Sequence, residues 1–471
     1  MTQLPSRVLV AGLGVSGAAA ARVLLARGHD VSLTDAAEPA VLTELVAGGG
    51  RWLGPLAVAP EDVDLVVTSP GWRPDHPLLA GAAARGLEVI GEPELAWRLR
   101  GEDAAPWYAV TGTNGKTTTV TMLEAVLLAG GRRAVAAGNV GRPLVEVVTA
   151  TDPDGRPTYD ALAVELSSFQ LHWSSSIAPA AACVLNVADD HTDWHGSFES
   201  YRDAKAVLLR FAPVAVADAG DPVASALVAG HRHPVTVTLD EPGAGQLGVR
   251  DGALVDRAFS AAPAGDVLTE VDSLQVRGPH NTVNALAAAA LGRAAGVSPA
   301  DVGRGLAGFR GGAHRNVLVG SVGGIDFVDD SKATNPHAAG ASLAAYPRVV
   351  WIAGGLLKGA DVDPLVAAVG PRLAGVVLLG RDRAQLARSL ARHAPSVPRI
   401  EVPSGDDEAV VTDGDSATRG DRVMREVVAA AVRLARPGDT VLLAPAAASM
   451  DVFTDYAHRG RAFADTVRAL G

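Results

Sequence analysis

Cysteine is almost absent: 471 residues hold one, Cys183, so the chain cannot close a disulfide within itself. Set in the apolar run AACVLNV, that thiol reads as a buried strand side chain and not as a nucleophile. No uncharged apolar stretch reaches the ~18 to 20 residues of a membrane helix. Met1 to Arg7 runs straight into a strand-like segment, with no basic and apolar leader. The expectation is a cytoplasmic protein without membrane insertion. Positive charge is also in deficit: 41 Lys and Arg against 52 Asp and Glu give a formal net charge of -11, which argues against nucleic-acid binding through bulk charge. Aromatic residues are scarce at 4%, whereas 52 glycines and 29 prolines accompany a 48% hydrophobic content, the profile of a globular chain with many βα turns. At this length about three domains are expected.

What the chain does have is TGTNGKTT, Thr111 to Thr118, between the apolar run Tyr108, Ala109, Val110 and a helix expected to begin near Thr117. A glycine-containing turn that feeds a helix start aims backbone N–H groups and the positive end of the helix dipole at one point, which suits a phosphate. Lys116 adds a mobile cation for terminal phosphates and Thr117 a hydroxyl for Mg2+. The strict pattern G-x-x-x-x-G-K-[ST] wants glycine where Val110 stands, so this turn is a shortened form.

Arg7 to Asp35 reads as strand, Gly-rich turn, helix, strand. Gly12, Gly14 and Gly17 match G-x-G-x-x-G, and Asp35 ends the second strand where a ribose-binding acid belongs. The pattern fits NAD, another nucleotide diphosphate, or glycines that only allow close helix packing. A further strand, Asp64 to Gly71, ends in a small-residue turn holding Ser69 and Gly71, and a polar segment, Arg100 to Pro106, marks a first domain boundary.

Downstream, ALAVELSSFQL (Ala161 to Leu171) is an apolar strand ending in Glu165, and AACVLNVADDHTDWHG is a second strand followed by Asp189, Asp190 and His191. In a parallel sheet both ends lie on the rim that carries the phosphate turn. The stretch from Ser197 looks helical and is expected to expose Lys205 near a face that also holds Tyr201. Residues 240–272 suggest short strands and loops. Gly278 to Gly296 is a helix with Asn281 and Asn284 at i,i+3, either a solvated or capping face or a reader of base and ribose. Gly308 to Asn316 is a second, pliable boundary, after which strands and helices alternate again. The polar insert PSGDDEAVVTDGDSATRGDR is expected to be a surface loop. His191 and His195 are spaced for zinc, but the glutamate of H-E-x-x-H is missing and no cysteine is near, so His195 reads as structural.

Taken together, TGTNGKTT, ELSSFQL, NVADDHTDWHG, YRDAK, GPHNTVNAL, AHR, DDSKATN, GGLLKGAD and APAAASMDVF resemble the Mur ligases of peptidoglycan synthesis, in the right order over nearly the whole chain. The resemblance implies an α/β fold of three domains: a Rossmann-like domain for the UDP part (1–104), a central P-loop mononucleotide-binding parallel sheet for ATP (105–310), and a C-terminal Rossmann-like domain (311–471) that closes on ATP and the amino acid. Among these ligases it points to the reaction that joins D-glutamate to UDP-N-acetylmuramoyl-L-alanine through an acyl phosphate. An NAD oxidoreductase with an appended ATPase, a sister ligase or folylpolyglutamate synthase, and a regulator that has lost catalysis are the competing readings. The G-x-G-x-x-G start with DSKATN, and the joint presence of Lys116, Glu165, His191 and Lys205, disfavour them.

The residue roles that follow are implied by the resemblance. Gly14, Val15, Ser16, Asp35, Ser69, Gly71 and Asn139 would face the UDP substrate. Gly112, Thr113, Asn114, Gly115, Lys116, Thr117, Thr118, Asn281, Asn284, Arg315 and Asp330 would bind ATP, with His314 lining the same cleft. Two Mg2+ ions would use Thr117, Glu165, His191 and Lys205, the last carrying CO2 as a carbamate. Lys116, His191 and Lys205 would be catalytic. Lys332, Thr334, Lys358, Ser449 and the Phe453 backbone would hold D-glutamate. A monomer with no nucleic-acid partner is expected. Ala313 departs from the family pattern, where proline often precedes the position of His314.

Overall fold

A computed structural model describes residues 4–101, 103–403 and 416–470. Three sheets carry the chain, and their central strands, such as Leu65–Thr68, Trp107–Thr111 and Val349–Gly354, are the short apolar runs that both-sided burial selects. The first sheet is wholly parallel, in the order Arg51–Trp52, Asp30–Thr34, Arg7–Ala11, Leu65–Thr68, Glu88–Gly91. That is the 3-2-1-4-5 winding of a Rossmann-like half-sheet.

The second sheet has nine strands. Its parallel part runs Ala134–Gly138, Ala161–Glu165, Trp107–Thr111, Ala181–Val184, Ala215–Asp218, Pro234–Val237, Gln246–Arg250, and two antiparallel strands, Ala253–Asp256 and Asp266–Glu270, extend it. Residues 240–272 therefore do form short strands. The chain passes from Trp107–Thr111 to one side for two strands and then returns to the other, so this central strand marks the switch point where α/β sheets bind ligands.

The third sheet is ordered Val317–Val322, Ile325–Asp329, Thr440–Leu443, Val349–Gly354, Leu373–Leu379, Arg399–Glu401, parallel except for the first strand. The sequence reading missed Val317–Val322, a half-exposed hairpin partner whose alternation is broken by an irregular register near Leu318. The insert expected to be a surface loop lies mostly outside the described residues. Its end does not: Ser416 opens a helix that runs to Leu434, so Ser416 to Arg422 is helical and not loop. An amphipathic stripe of buried Val423, Met424, Val427 and Val428 explains why the polar start is drawn into the helix.

Two compact units emerge. One comprises Met1–Ser273 with Val283–Phe309 and holds the first two sheets; the other comprises Leu274–Thr282 with Arg310–Gly471 and holds the third. In the first, one buried core runs through both sheets, from Val8 and Leu33 to Trp107 and Leu162.

Candidate functional site

The turn after Trp107–Thr111 is built by its own backbone chemistry. Gly112 (φ 153°) and Gly115 (φ 85°) take conformations that L side chains rarely adopt, and a Cβ at Gly115 would lie 2.4 Å from Asn284 Oδ1. The helix begins at Lys116, one residue before the expected start, and runs to Ala129. Asn186, just past the neighbouring strand, holds the turn from outside. Its carbonyl accepts from Thr113 N–H at 2.9 Å, its Oδ1 accepts from Asn114 N–H at 2.8 Å, and its Nδ2 donates to the Asn114 carbonyl at 3.1 Å. Thr113 Oγ1 meets Tyr201 Oη at 2.9 Å and accepts from Ala188 N–H at 3.0 Å. Asn284 is buried and accepts from Thr119 Oγ1 at 3.2 Å. Of the two asparagines expected to read a nucleotide, it is thus the one that buttresses the turn. Thr117 and Thr118 sit half-buried in the first helical turn.

Lysines converge here. Lys116 Nζ donates to the carbonyls of Gly112 and Thr113 at 2.8 and 2.9 Å, and Lys205 Nζ donates to the same Gly112 carbonyl at 2.9 Å. Lys205 was expected to be exposed, and the structure corrects this. On the helix Phe198–Ala206 it is only 1% accessible, with its Nζ 4.3 Å from the centroid of the Tyr201 ring. Helical pattern alone could not show it, because the covering surface is the phosphate turn itself. Burial, and then the Lys116 charge, push the Lys205 ammonium well below the usual lysine range.

On the same rim, Glu165 is fully buried. Asn139 Nδ2 donates to its Oε1 at 2.7 Å, while the buried Oε2 has no hydrogen-bond partner among the described residues. An unpaired buried carboxylate oxygen costs several kcal/mol, so this atom is suited to a cation. His191 takes a left-handed backbone (φ 54°) before the short helix Thr192–His195, and its ring lies 4.8 Å from that of Phe169. Burial first, then the Lys205 and Lys116 charges, lower its pKa against the opposing pull of Asp190, which favours the neutral imidazole. His195 belongs to a short helix and not to a strand end; its Nε2 meets Ser168 Oγ at 3.0 Å and its ring stacks on Phe169. Among the described residues no three His, Cys, Asp or Glu side chains gather around one point. Mg2+, however, commonly uses one or two carboxylates and takes the rest of its shell from phosphate and water.

In the first sheet the three glycines have separate tasks. Gly12 (φ 85°) makes the turn under Trp72. A Cβ on Gly17 would lie 1.8 Å from the Gly12 carbonyl oxygen, so it permits close helix packing. Gly14 faces open space, and with exposed Val15 and half-buried Ser16 it leaves the start of the Val15–Ala26 helix accessible. Asp35 does not reach outward freely: its carboxylate accepts from the Leu13 and Ala36 amides, both at 2.6 Å, and so shapes the turn. Ser69 Oγ donates to the Gly12 carbonyl at 2.7 Å, and Gly71 is exposed beside it.

The second unit gathers the remaining candidates around two loops. Ala446 N–H donates to the Ala333 carbonyl at 2.9 Å, joining the loop of Asp329 to Thr334 with that of Ala446 to Phe453. Arg459 was not foreseen. Wholly buried, it donates to Ser331 Oγ, Ser331 O and Ala447 O at 2.9, 2.8 and 3.1 Å, so one guanidinium ties both loops. Lys332 Nζ lies 3.9 Å from the Tyr456 ring centroid, Thr334 N–H donates to the Lys332 carbonyl, and Lys358 is exposed in a left-handed conformation. Ser449 is buried and its carbonyl accepts the Phe453 amide at 2.9 Å, so that N–H already has a partner. His314 Nδ1 meets Asp329 Oδ2 at 2.6 Å. Asp330 accepts from Asn316 N–H at 3.2 Å; burial and then Asp329 raise its carboxyl to about 6, against the pull of Arg315. Asn281 donates to the Arg277 carbonyl at 2.8 Å.

Comparison with known proteins covers the chain in three consecutive parts. Residues 6–91 match the N-terminal domain of MurD-like Mur ligases, 110–292 the Mur ligase middle domain, and 314–447 the Mur ligase glutamate ligase domain. Proteins from Thermobifida fusca and Mycolicibacterium smegmatis, both named UDP-N-acetylmuramoylalanine--D-glutamate ligase, are 53% and 50% identical. Each alignment covers 98% of this chain, with 98% and 97% of the respective relatives. The fold is similar to that of UDP-N-acetylmuramate-alanine ligase MurC from Thermotoga maritima, with a TM-score of 0.56 at 20% identity over 99% of this chain and 100% of that one.

Proposed function

The chain belongs to the Mur ligase family, and on that premise we propose that it joins D-glutamate to UDP-N-acetylmuramoyl-L-alanine at the expense of ATP, in peptidoglycan precursor synthesis. The observation that carries this reading is the 50–53% identity, along 98% of the chain, to relatives bearing that name. Three α/β domains match it, and we place their limits at 1–104, 105–310 and 311–471. The site is read as that of a cytoplasmic monomer.

An amide does not form usefully from a carboxylate and an amine in water, because the carboxylate oxygen is a poor leaving group. The alanyl carboxylate therefore attacks the γ-phosphorus of ATP, releasing ADP and leaving an acyl phosphate. The D-glutamate amine then adds to that carbonyl, phosphate departs and the amine loses its proton. The first step brings two anions together, so positive charge must be concentrated between them. Lys116, at the mouth of the phosphate turn, supplies it, and the turn's amides orient the triphosphate.

Bound Mg2+ would neutralise phosphate charge in this step, and the residues fit it: Glu165 has a buried oxygen unpaired among the described residues, Thr117 lies in the first turn of the helix, and burial lowers the pKa of His191. Lys205 is assigned a carbamate. Its buried amine beside Lys116 favours the neutral form, which adds to CO2 through nitrogen and releases a proton, turning a repelled cation into an anion. Gly14, Val15 and Ser16 would take the diphosphate of the UDP substrate, with Ser69, Gly71, Asp35 and Asn139 shaping its surroundings. Asn281, Asn284, Arg315 and Asp330 are assigned to ATP. Lys332, Thr334, Lys358, Ser449 and Phe453 are assigned to D-glutamate, whose two carboxylates call for cations and hydroxyls.

Phosphate release with ATP, Mg2+ and UDP-N-acetylmuramoyl-L-alanine, compared across D-glutamate, L-glutamate, L-alanine and meso-diaminopimelate, tests the assignment. Turnover is expected with D-glutamate alone; turnover with L-glutamate but not the D isomer would overturn it.

A further inference from the structure

Glu92 is a carboxylic acid with almost no access to water, at 1%, and the reaction described above makes no use of it. It opens the helix Glu92–Leu99 directly after the last strand of the first sheet, where Gly91 N–H donates to the Trp173 carbonyl at 2.9 Å. Its Oε1 accepts from Val145 N–H at 2.7 Å, and the Leu144 amide also serves it. Pro143 precedes this helix start, Leu144–Thr149, and caps it with no side chain of its own, so Glu92 supplies from a distant segment what the local sequence lacks.

The turn that ends at Pro143 is otherwise fixed from the opposite side. Gly138 (φ 106°) approaches Glu165 so closely that a Cβ there would lie 2.3 Å from the Glu165 carbonyl oxygen. Gly138 N–H also donates to the Arg142 carbonyl at 3.2 Å. Asn139 then makes two bonds to Glu165, from its backbone N–H to the carbonyl at 2.9 Å and from Nδ2 to Oε1 at 2.7 Å. One end of a six-residue turn thus orients the Glu165 carboxylate, and the other end hangs on Glu92.

We propose that Glu92 is a positioning residue for the ligation: by accepting the Leu144 and Val145 amides it pins the Asn139 turn, which aims Glu165 Oε2 at the metal ion. This rests on the reading of Glu165 as a Mg2+ ligand. A carboxylate accepts these amides about twice as strongly as a neutral carbonyl-type oxygen does, so the pinning is strongest when Glu92 is ionised. Burial raises its carboxyl to about 7, offset in part by the two amides and reinforced by the Glu146 charge. The other charged groups on the packed elements are engaged elsewhere: Glu146 lies 3.6 Å from Arg142, Arg22 pairs with Glu44, and Glu94 binds Arg98 and the Ser175 and Ser176 amides. Burial lowers the pKa of His191 against the pull of Asp190, so its titration moves toward acid and away from that of Glu92.

The test is the Mg2+ dissociation constant by isothermal titration calorimetry with ADP present, alongside the Mg2+ concentration for half-maximal activity, both measured from pH 6 to 8 in wild type, Glu92→Gln and Glu165→Gln, with folding checked by thermal melting. Loss of a residue that orients a metal ligand typically costs about 10- to 100-fold in metal affinity, and one step further out about 3- to 10-fold is expected. In the wild type the constant should rise by that factor as pH falls through 7. Glu92→Gln should sit at the acid value throughout, with the KM for D-glutamate unchanged. If Glu92→Gln follows the wild-type curve, the inference is overturned. If Glu165→Gln keeps the wild-type Mg2+ dependence, the metal reading itself fails, whatever Glu92 does.

Discussion

Two lysines that share one carbonyl oxygen state the electrostatic problem of this site at the residue scale. Lys116 must stay charged to meet phosphate, and burial first, then that neighbouring charge, push Lys205 toward the neutral amine. A carbamate resolves the conflict and gives a direct test. Incubation with 13C-bicarbonate should add one carbamate carbonyl resonance, absent in Lys205→Ala, and that variant should lose at least ~10²-fold in rate, comparable with removing one transition-state electrostatic contact. Partial recovery with added short carboxylates is expected; undiminished activity in Lys205→Ala would remove the role. Asn186 offers a second test, because it makes three hydrogen bonds to the phosphate turn. Asn186→Ala removes the two made by its side chain, and at about 1 kcal/mol each the KM for ATP should rise by up to ~30-fold while the KM for D-glutamate holds. Equal increases for both substrates would point to general loosening instead.

Among the elements, the Gly-rich start of the Val15–Ala26 helix separates packing from binding within six residues. Gly17→Ala places a Cβ on the Gly12 carbonyl oxygen and should cost at least about 1 to 3 kcal/mol, the usual range for overpacking. Gly14 has ordinary negative φ and open space around it, so Gly14→Ala should leave the melting temperature unchanged and raise only the KM for the UDP substrate. Coincident effects of the two variants would contradict this division. Local chemistry of this kind is what the sequence displays well: glycine spacing, strand ends and helix starts placed Thr111–Thr118, Glu165 and His191 on one rim before any coordinates. Tertiary chemistry is hidden. Lys205 looked exposed because its cover comes from 93 residues earlier. Arg459 and Asn186 drew no reading because their partners, Ser331 and Ala447 for the first and the phosphate turn for the second, lie in distant segments. The polar start of the Ser416–Leu434 helix resembled a loop because composition outweighs periodicity when few apolar positions fall in the first turns.

For the whole molecule, each compact unit holds at least one histidine whose pKa burial lowers and at least one acid whose pKa burial raises, and their titrations oppose. Burial pushes His195 in the first unit and His280 in the second down to about 4, and it raises Glu92 in the first to about 7 and Asp330 in the second to about 6. Between about pH 4.5 and 6 the unfolded chain binds protons on the histidines and not on the acids; the native chain does the reverse. Stability follows the difference in bound protons, so a histidine with lowered pKa makes stability fall as pH drops from 6.5 toward 4. An acid with raised pKa makes it fall as pH climbs from its unfolded value toward its native one. His172 and His191 in the first unit are also lowered and Asp218 is also raised, so shifts of both signs offset in part, and the wild-type melting temperature should vary less from pH 4.5 to 6 than that of either variant below. Asp330→Asn leaves His280 unopposed, so its stability should fall with acid by about 1.4 kcal/mol per pH unit. Glu92→Gln leaves His195, which is partly open to solvent and screened, so its slope should have the same sign and be shallower. Urea melts of the full chain at four pH values measure both, and variant profiles parallel to the wild type would show that these four groups do not set the acid response.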